Sequence, residues 1–119
     1  MIINMAVVTL WADNFEETVI FYKRVLGMND VQQESEGIIH FKIDDILFTV
    51  MKGKPAKATN SINPRFPIVA FSVEDIQKSF NILKENKVEL PWGIEESAAA
   101  KWIMFNDPAG NLIELVQFL

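Results

Sequence analysis

The chain has 119 residues, half of them hydrophobic and 23% charged, a length and balance that allow one domain with a real core and exclude a disordered chain. It has no cysteine, which excludes a disulfide framework, a thiolate metal site and a cysteine nucleophile. A net charge of -5 without clustered Lys and Arg argues against nucleic acid as a partner, and no apolar run approaches the roughly 18 residues of a membrane span.

The opening "MIINMAVVTLW" lacks a basic segment and runs straight into a helix start, so it reads as a core strand and not as a signal peptide; the cytoplasm is the default location. Asn14 is a good N-cap, and Glu17 three residues on completes a capping-box pattern. Phe15, Val19, Tyr22 and Leu26 recur at helical spacing, and Gly27 supplies the stop. Strands follow at "NDVQQES", "GIIHFKI" and "ILFTVM", the last two joined by a tight turn at Asp44 and Asp45. Pairing that hairpin sets His40 opposite Thr49 and Phe41 opposite Phe48. Ile39, Phe41, Ile43, Ile46, Phe48 and Val50 then form an apolar face for the helix, leaving His40, Lys42, Leu47 and Thr49 on the other. The next segment, "KGKPAKATNSINPRF", reads as a surface linker; its three lysines and Arg65 suit an anion contact, though a solvated loop is the plainer reading.

The second half repeats the first. Residues 8 to 23 and 69 to 84 match apolar to apolar and polar to polar at a constant offset of 61, Val8 with Val69 and Phe15 with Ile76. Asp75 caps the second helix, and Ile76, Phe80 and Leu83 form its stripe. Strands follow at "PWGIEES", "KWIMFN" and "LIELVQF", with "DPAG" turning between the last two. "EESAAAK", residues 95 to 101, reads as a flexible edge. The order βαβββ therefore occurs twice, an α+β arrangement: one domain over 1–119 made of a first module (1–51), a linker (52–66) and a second module (67–119).

On "FYKRVLGM", "DPAGNLIEL" and the internal duplication, nearly the whole chain resembles the glyoxalase/bleomycin-resistance/extradiol-dioxygenase (vicinal oxygen chelate) superfamily. The resemblance implies two βαβββ modules forming a cupped mixed sheet, with helices on the convex side, a ligand on the concave side, and pairing into homodimers with pockets at or near the interface. It also implies, for metal-dependent members, up to four ligands, one on the first and one on the last strand of each module. Glu114 matches the last of these. The other positions hold Val7, Ile68 and a strand, "ILFTVM", in which only Thr49 carries an oxygen; a lone carboxylate does not define a metal site, so no metal cofactor is expected.

Candidate site residues follow. Glu114 and His40 are the groups able to move a proton or hold a polar group. Val7, Thr9 and Trp11 share a face of the first strand, and Thr49, Trp92, Trp102 and Met104 complete an apolar, aromatic lining suited to flat or cationic ligands. Each tryptophan equally suits a core or dimer contact, His40 a plain strand position, and Glu114 a structural carboxylate held by a hydrogen bond or a lysine. Two functions compete: a metal-free small-molecule-binding protein, and a glyoxalase-type lyase or isomerase using Glu114 as base. A structural or regulatory protein with a self-filled cup is a third.

Overall fold

The alternating residues of VVTLWA form strand β1 (Val7–Ala12), whose inward side chains Val8, Leu10 and Ala12 are less exposed than Val7, Thr9 and Trp11. Helix α1 (Phe15–Ile20) follows and continues as a π-helical segment, Phe21–Val25. Strands β2 (Val31–Ser35), β3 (Ile38–Ile43) and β4 (Ile46–Lys52) complete the first set. The second set is β5 (Val69–Ser72), α2 (Ile76–Glu85), β6 (Ile94–Glu96), β7 (Ala100–Asn106) and β8 (Leu112–Phe118). The computed structural model describes residues 1–55 and 67–119, and the chain divides into two compact units, Met1–Ala56 and Lys57–Leu119.

Each unit is one four-stranded mixed sheet with the same strand order, β1-β4-β3-β2 and β5-β8-β7-β6. The first and last strands of each unit pair in parallel and the rest antiparallel. This is the α+β, twice-βαβββ plan expected from the duplication. Thr9 pairs with Thr49 in the first unit and Ala70 with Glu114 in the second. Because Thr9 and Ala70 are themselves related by the offset of 61 (9 + 61 = 70), Thr49 and Glu114 occupy the same place in the two sheets.

In the first unit Tyr22, Ile39, Phe41, Phe48 and Val50 are buried, with the Tyr22 and Phe48 rings edge to face at 4.9 Å and Phe41 stacked on Phe48 at 6.3 Å. In the second, Leu83, Ile103, Phe105 and Ile113 are buried, and α2 packs on β7 and β8. Burying each such side chain stabilises the fold by roughly 1.5–3 kcal/mol. The hairpin register is the expected one, Phe41 on Phe48 and His40 on Thr49, and it turns through Asp44 at a φ of 52°. Asx residues tolerate this left-handed conformation better than most.

Four local features differ from the sequence expectation. The Asn14 side chain caps no helix N–H; its amide instead donates to Glu17 Oε2 at 3.2 Å and its oxygen accepts from Thr18 Oγ1 at 3.1 Å. The first helix widens into a π turn, which lets the consecutive residues Phe21 and Tyr22 both be buried, before a bond from Met28 N–H to Tyr22 C=O closes it around Gly27. The sixth strand is only Ile94–Glu96, since Pro91 offers no N–H and Gly93 turns at a φ of 61°. Residues 95 to 101 are a hairpin, not a loose edge: Ser97 N–H donates to Ala100 C=O, and the Ser97 hydroxyl accepts from the N–H groups of Ala99 and Ala100.

The second helix is capped as expected, Asp75 accepting from Lys78 N–H at 3.1 Å; Gln117 of β8 adds a second acceptor, for Ile76 N–H, at 2.9 Å. The linker's Lys52 ends β4, while its residues 56–66, with Lys57 and Arg65, lie outside the described residues. No helix among the described residues is long and apolar enough to cross a membrane.

Candidate functional site

Strand β8 is central in its sheet, and its alternation sends Ile113 and Leu115 into the core while Leu112, Glu114 and Val116 occupy the opposite face. Glu114 lies between Ala70 of β5 and Met104 of β7, and in the next row Val116 lies between Ser72 and Trp102, with Glu95 of β6 beyond Trp102. The carboxylate is thus set among a methyl, a thioether and an indole. Burial, and secondly the like charge of Glu95, push its pKa above the usual carboxylate range. Among the described residues no hydrogen bond or ion pair reaches it.

This is an uncommon position for an acid. A partly buried charge costs free energy unless it is satisfied, and Glu114 carries that cost together with a second acid nearby. Asp107, five residues away in sequence from Leu112, shows the contrast. It is more deeply buried, but its Oδ1 accepts from the N–H groups of Ala109 and Asn111 and its Oδ2 from Asn111 Nδ2. One acid builds the "DPAG" turn, and the other has no hydrogen bond or ion pair among the described residues.

In the first unit the same face carries Val7, Thr9 and Trp11 on β1, Leu47, Thr49 and Met51 on β4, and His40 and Lys42 on β3. Thr49 is 1% exposed, and its hydroxyl lies 2.5 Å from His40 Nδ1. Trp11 is half exposed and one edge of its indole lies over Gly53, where a Cβ would come within 2.7 Å of Cε3. Gln33 of β2 pairs with His40, extending the polar row Thr9, Thr49, His40, Gln33 across the sheet.

The candidates from the sequence therefore separate by unit. Glu114, Met104 and Trp102 share one face of the second sheet; His40, Thr49, Thr9, Val7 and Trp11 share one face of the first. Trp92 is not on a strand: it stands in the turn before β6 and is 59% exposed. Sequence inspection missed Glu95, which the register of β6 brings to the face of Glu114, and the signal was there in the alternation of "GIEES". It also missed Gln33.

The metal positions implied by the resemblance fare poorly on donor chemistry. Val7 and Ile68 have no donor atom, and Thr49, in the place of Glu114, is buried with its hydroxyl engaged by His40. Among the described residues no three His, Asp or Glu side chains come together as a ligand set. The residues present do not fit a divalent cation in these positions.

Comparison with known proteins agrees with the architecture. No curated protein sequence matches the chain. Among solved structures, a glyoxalase/dioxygenase from Nostoc punctiforme superposes with a TM-score of 0.80 at 16% identity, covering 98% of this chain and 91% of that one. A lactoylglutathione lyase from Agrobacterium tumefaciens gives 0.74 at 18% identity, over 96% and 92%. An integron cassette protein from V. cholerae gives 0.73 at 21% identity, over 98% and 96%. These likenesses show the vicinal oxygen chelate fold. The family model of the Glyoxalase/Bleomycin resistance protein/Dioxygenase superfamily matches residues 4–115, and the chain belongs to that superfamily.

Proposed function

We propose that the protein is a cytoplasmic homodimer that binds a small apolar or aromatic molecule, without a metal ion, in a cupped pocket at or near the dimer interface. The face of the second sheet around Glu114 supplies the contacts. The observation that carries this is Glu114 itself: a partly buried acid with no described partner, bordered by Met104 and near Trp102. An indole and a thioether suit a flat apolar body, and the carboxyl group orients it through one polar contact. The missing donors at Val7 and Ile68 support the metal-free part. Calorimetry and thermal unfolding against a panel of planar aromatic compounds test it: at least one should bind and raise Tm, and Trp102→Ala should remove that gain. If no compound stabilises the protein, binding at this face is lost as its function.

A second function, a glyoxalase-type lyase or isomerase, is favoured by one property of the same residue. A carboxylate whose pKa is raised by burial takes a proton from a carbon acid more readily than an ordinary one and returns it as the neutral acid. Glu114→Gln discriminates the two. Loss of turnover by a factor of about 100 or more with binding retained marks a base, whereas loss of binding alone marks a contact.

A further inference from the structure

The structure assigns a carboxylate-binding subsite to the first unit, built on His40. Thr49 is 1% exposed, and among the described residues its hydroxyl has one hydrogen-bond partner, His40 Nδ1 at 2.5 Å. A buried hydroxyl that fails to donate its proton loses roughly 1–3 kcal/mol, so Thr49 donates and Nδ1 accepts. A neutral imidazole accepting at Nδ1 carries its proton on Nε2. That nitrogen lies on the side of the ring away from Thr49, so His40 offers a donor to whatever rests on this face.

The surroundings select what the donor meets. Thr9 lies beside Thr49 in the same row and is exposed, so its hydroxyl is a second donor. Lys42, two residues along β3 from His40 on the same face, adds a positive charge, and Gln33 opposite His40 adds an amide. No strand residue on this face of the first sheet is an acid: Glu34, the one acid in its strands, pairs with Ile39 on the other face and is held by Lys23 at 2.9 Å. Two neutral donors, an N–H donor and a cation, with no competing carboxylate, complement an anionic acceptor. The apolar neighbours Leu47 and Val7 favour an organic carboxylate over a hydrated inorganic anion. This subsite shares no residue with the face around Glu114, and the two assignments fail separately.

His40 is the only histidine in the chain, so its ring nitrogens are read directly by long-range nitrogen–proton correlation without assignment ambiguity. At mildly alkaline pH the free protein should show the Nε2–H tautomer; the Nδ1–H tautomer would overturn the assignment. Benzoate is then titrated, with benzamide as its uncharged counterpart. Saturable movement of the His40 signals with benzoate, and little with benzamide, is the expected result. Absence of a saturable shift, or an equal response to both, overturns it. His40→Leu should weaken benzoate binding about tenfold or more, the worth of one charge-assisted hydrogen bond. Thr49→Val should let the two tautomers mix while Thr49→Ser restores Nε2–H; if the valine variant does not fold, the serine variant and the wild-type tautomer still decide. If aromatic ligands stabilise the protein and His40 stays silent to benzoate, the Glu114 function stands and this subsite does not.

Discussion

The two sheets share strand order, parallel pairing and register, yet the faces they turn away from their helices carry opposite chemistry. At matched places stand Thr49 and Glu114, His40 and Met104, Thr9 and Ala70. The first unit concentrates donors, with its one strand acid on the far side; the second concentrates acids, Glu114 and Glu95, with an indole between rows. On the helix side the two agree closely: Phe41 matches Phe105, and both are fully buried. The two halves agree in residues that hold each sheet to its helix and differ on the other face. The residues that stabilise a unit and those on which the proposed binding rests therefore lie on different sides of the same strands.

That division can be broken most forcefully from the packed side. Phe41→Ala and Phe105→Ala should each destabilise the protein by about 3–5 kcal/mol in urea unfolding, since each empties a site with no solvent contact. Losses below about 1 kcal/mol in either unit would mean that the two cores are not equivalent. The next effect belongs to the second unit alone. Asp107→Ala removes three described hydrogen bonds from a buried turn and should cost roughly 1–3 kcal/mol. An unchanged urea midpoint would show that Pro108 and Gly110 set that turn unaided.

The smallest effect concerns the open faces. Burial and Glu95 raise the pKa of Glu114, so folding favours its neutral form. The associated stability is whole below the unfolded carboxyl pKa of about 4.3 and is lost as pH rises through the higher folded value. Glu114→Gln should thus match wild type in acid and equal or exceed it in Tm at neutral pH, and Glu95→Gln should bring the Glu114 carboxyl, followed by carbon NMR, back toward its ordinary range. A glutamine variant that is less stable at neutral pH would reveal a favourable partner for the acid and would bring Glu114 closer to the role of Asp107.

Much of this was legible in the sequence because it depends on period and offset. The 61-residue repeat, the pairing of His40 with Thr49, the cap at Asp75 and the turn at "DPAG" all follow from local spacing. What was not legible depends on atoms that meet across strands. Glu95 reaches the face of Glu114 only through the register of β6 on β7, and Gln117 caps α2 from a strand 41 residues away. The π turn at Phe21–Val25 is invisible to a 3.6-residue period because it is a departure from it, and the two adjacent aromatic side chains at its start are both buried. Asn14 and Glu17 have the letters of a capping box but spend them on each other. For Glu114 the sequence offers a ligand, a base and a structural acid alike, and the raised pKa that burial and Glu95 give it depends on neighbours brought up by strand register.

One topological detail governs how such a molecule assembles. In each unit the strand that comes last in sequence is not at an edge: β4 enters between β1 and β3, and β8 between β5 and β7. The first strand of each unit consequently has no neighbour until the final one is in place, and closing that parallel pair requires bringing together segments some tens of residues apart. The onset of amide protection in β1 and β5 during refolding would therefore time the last pairing in each half. Within each half, the strand that appears first along the chain is the last to gain a partner.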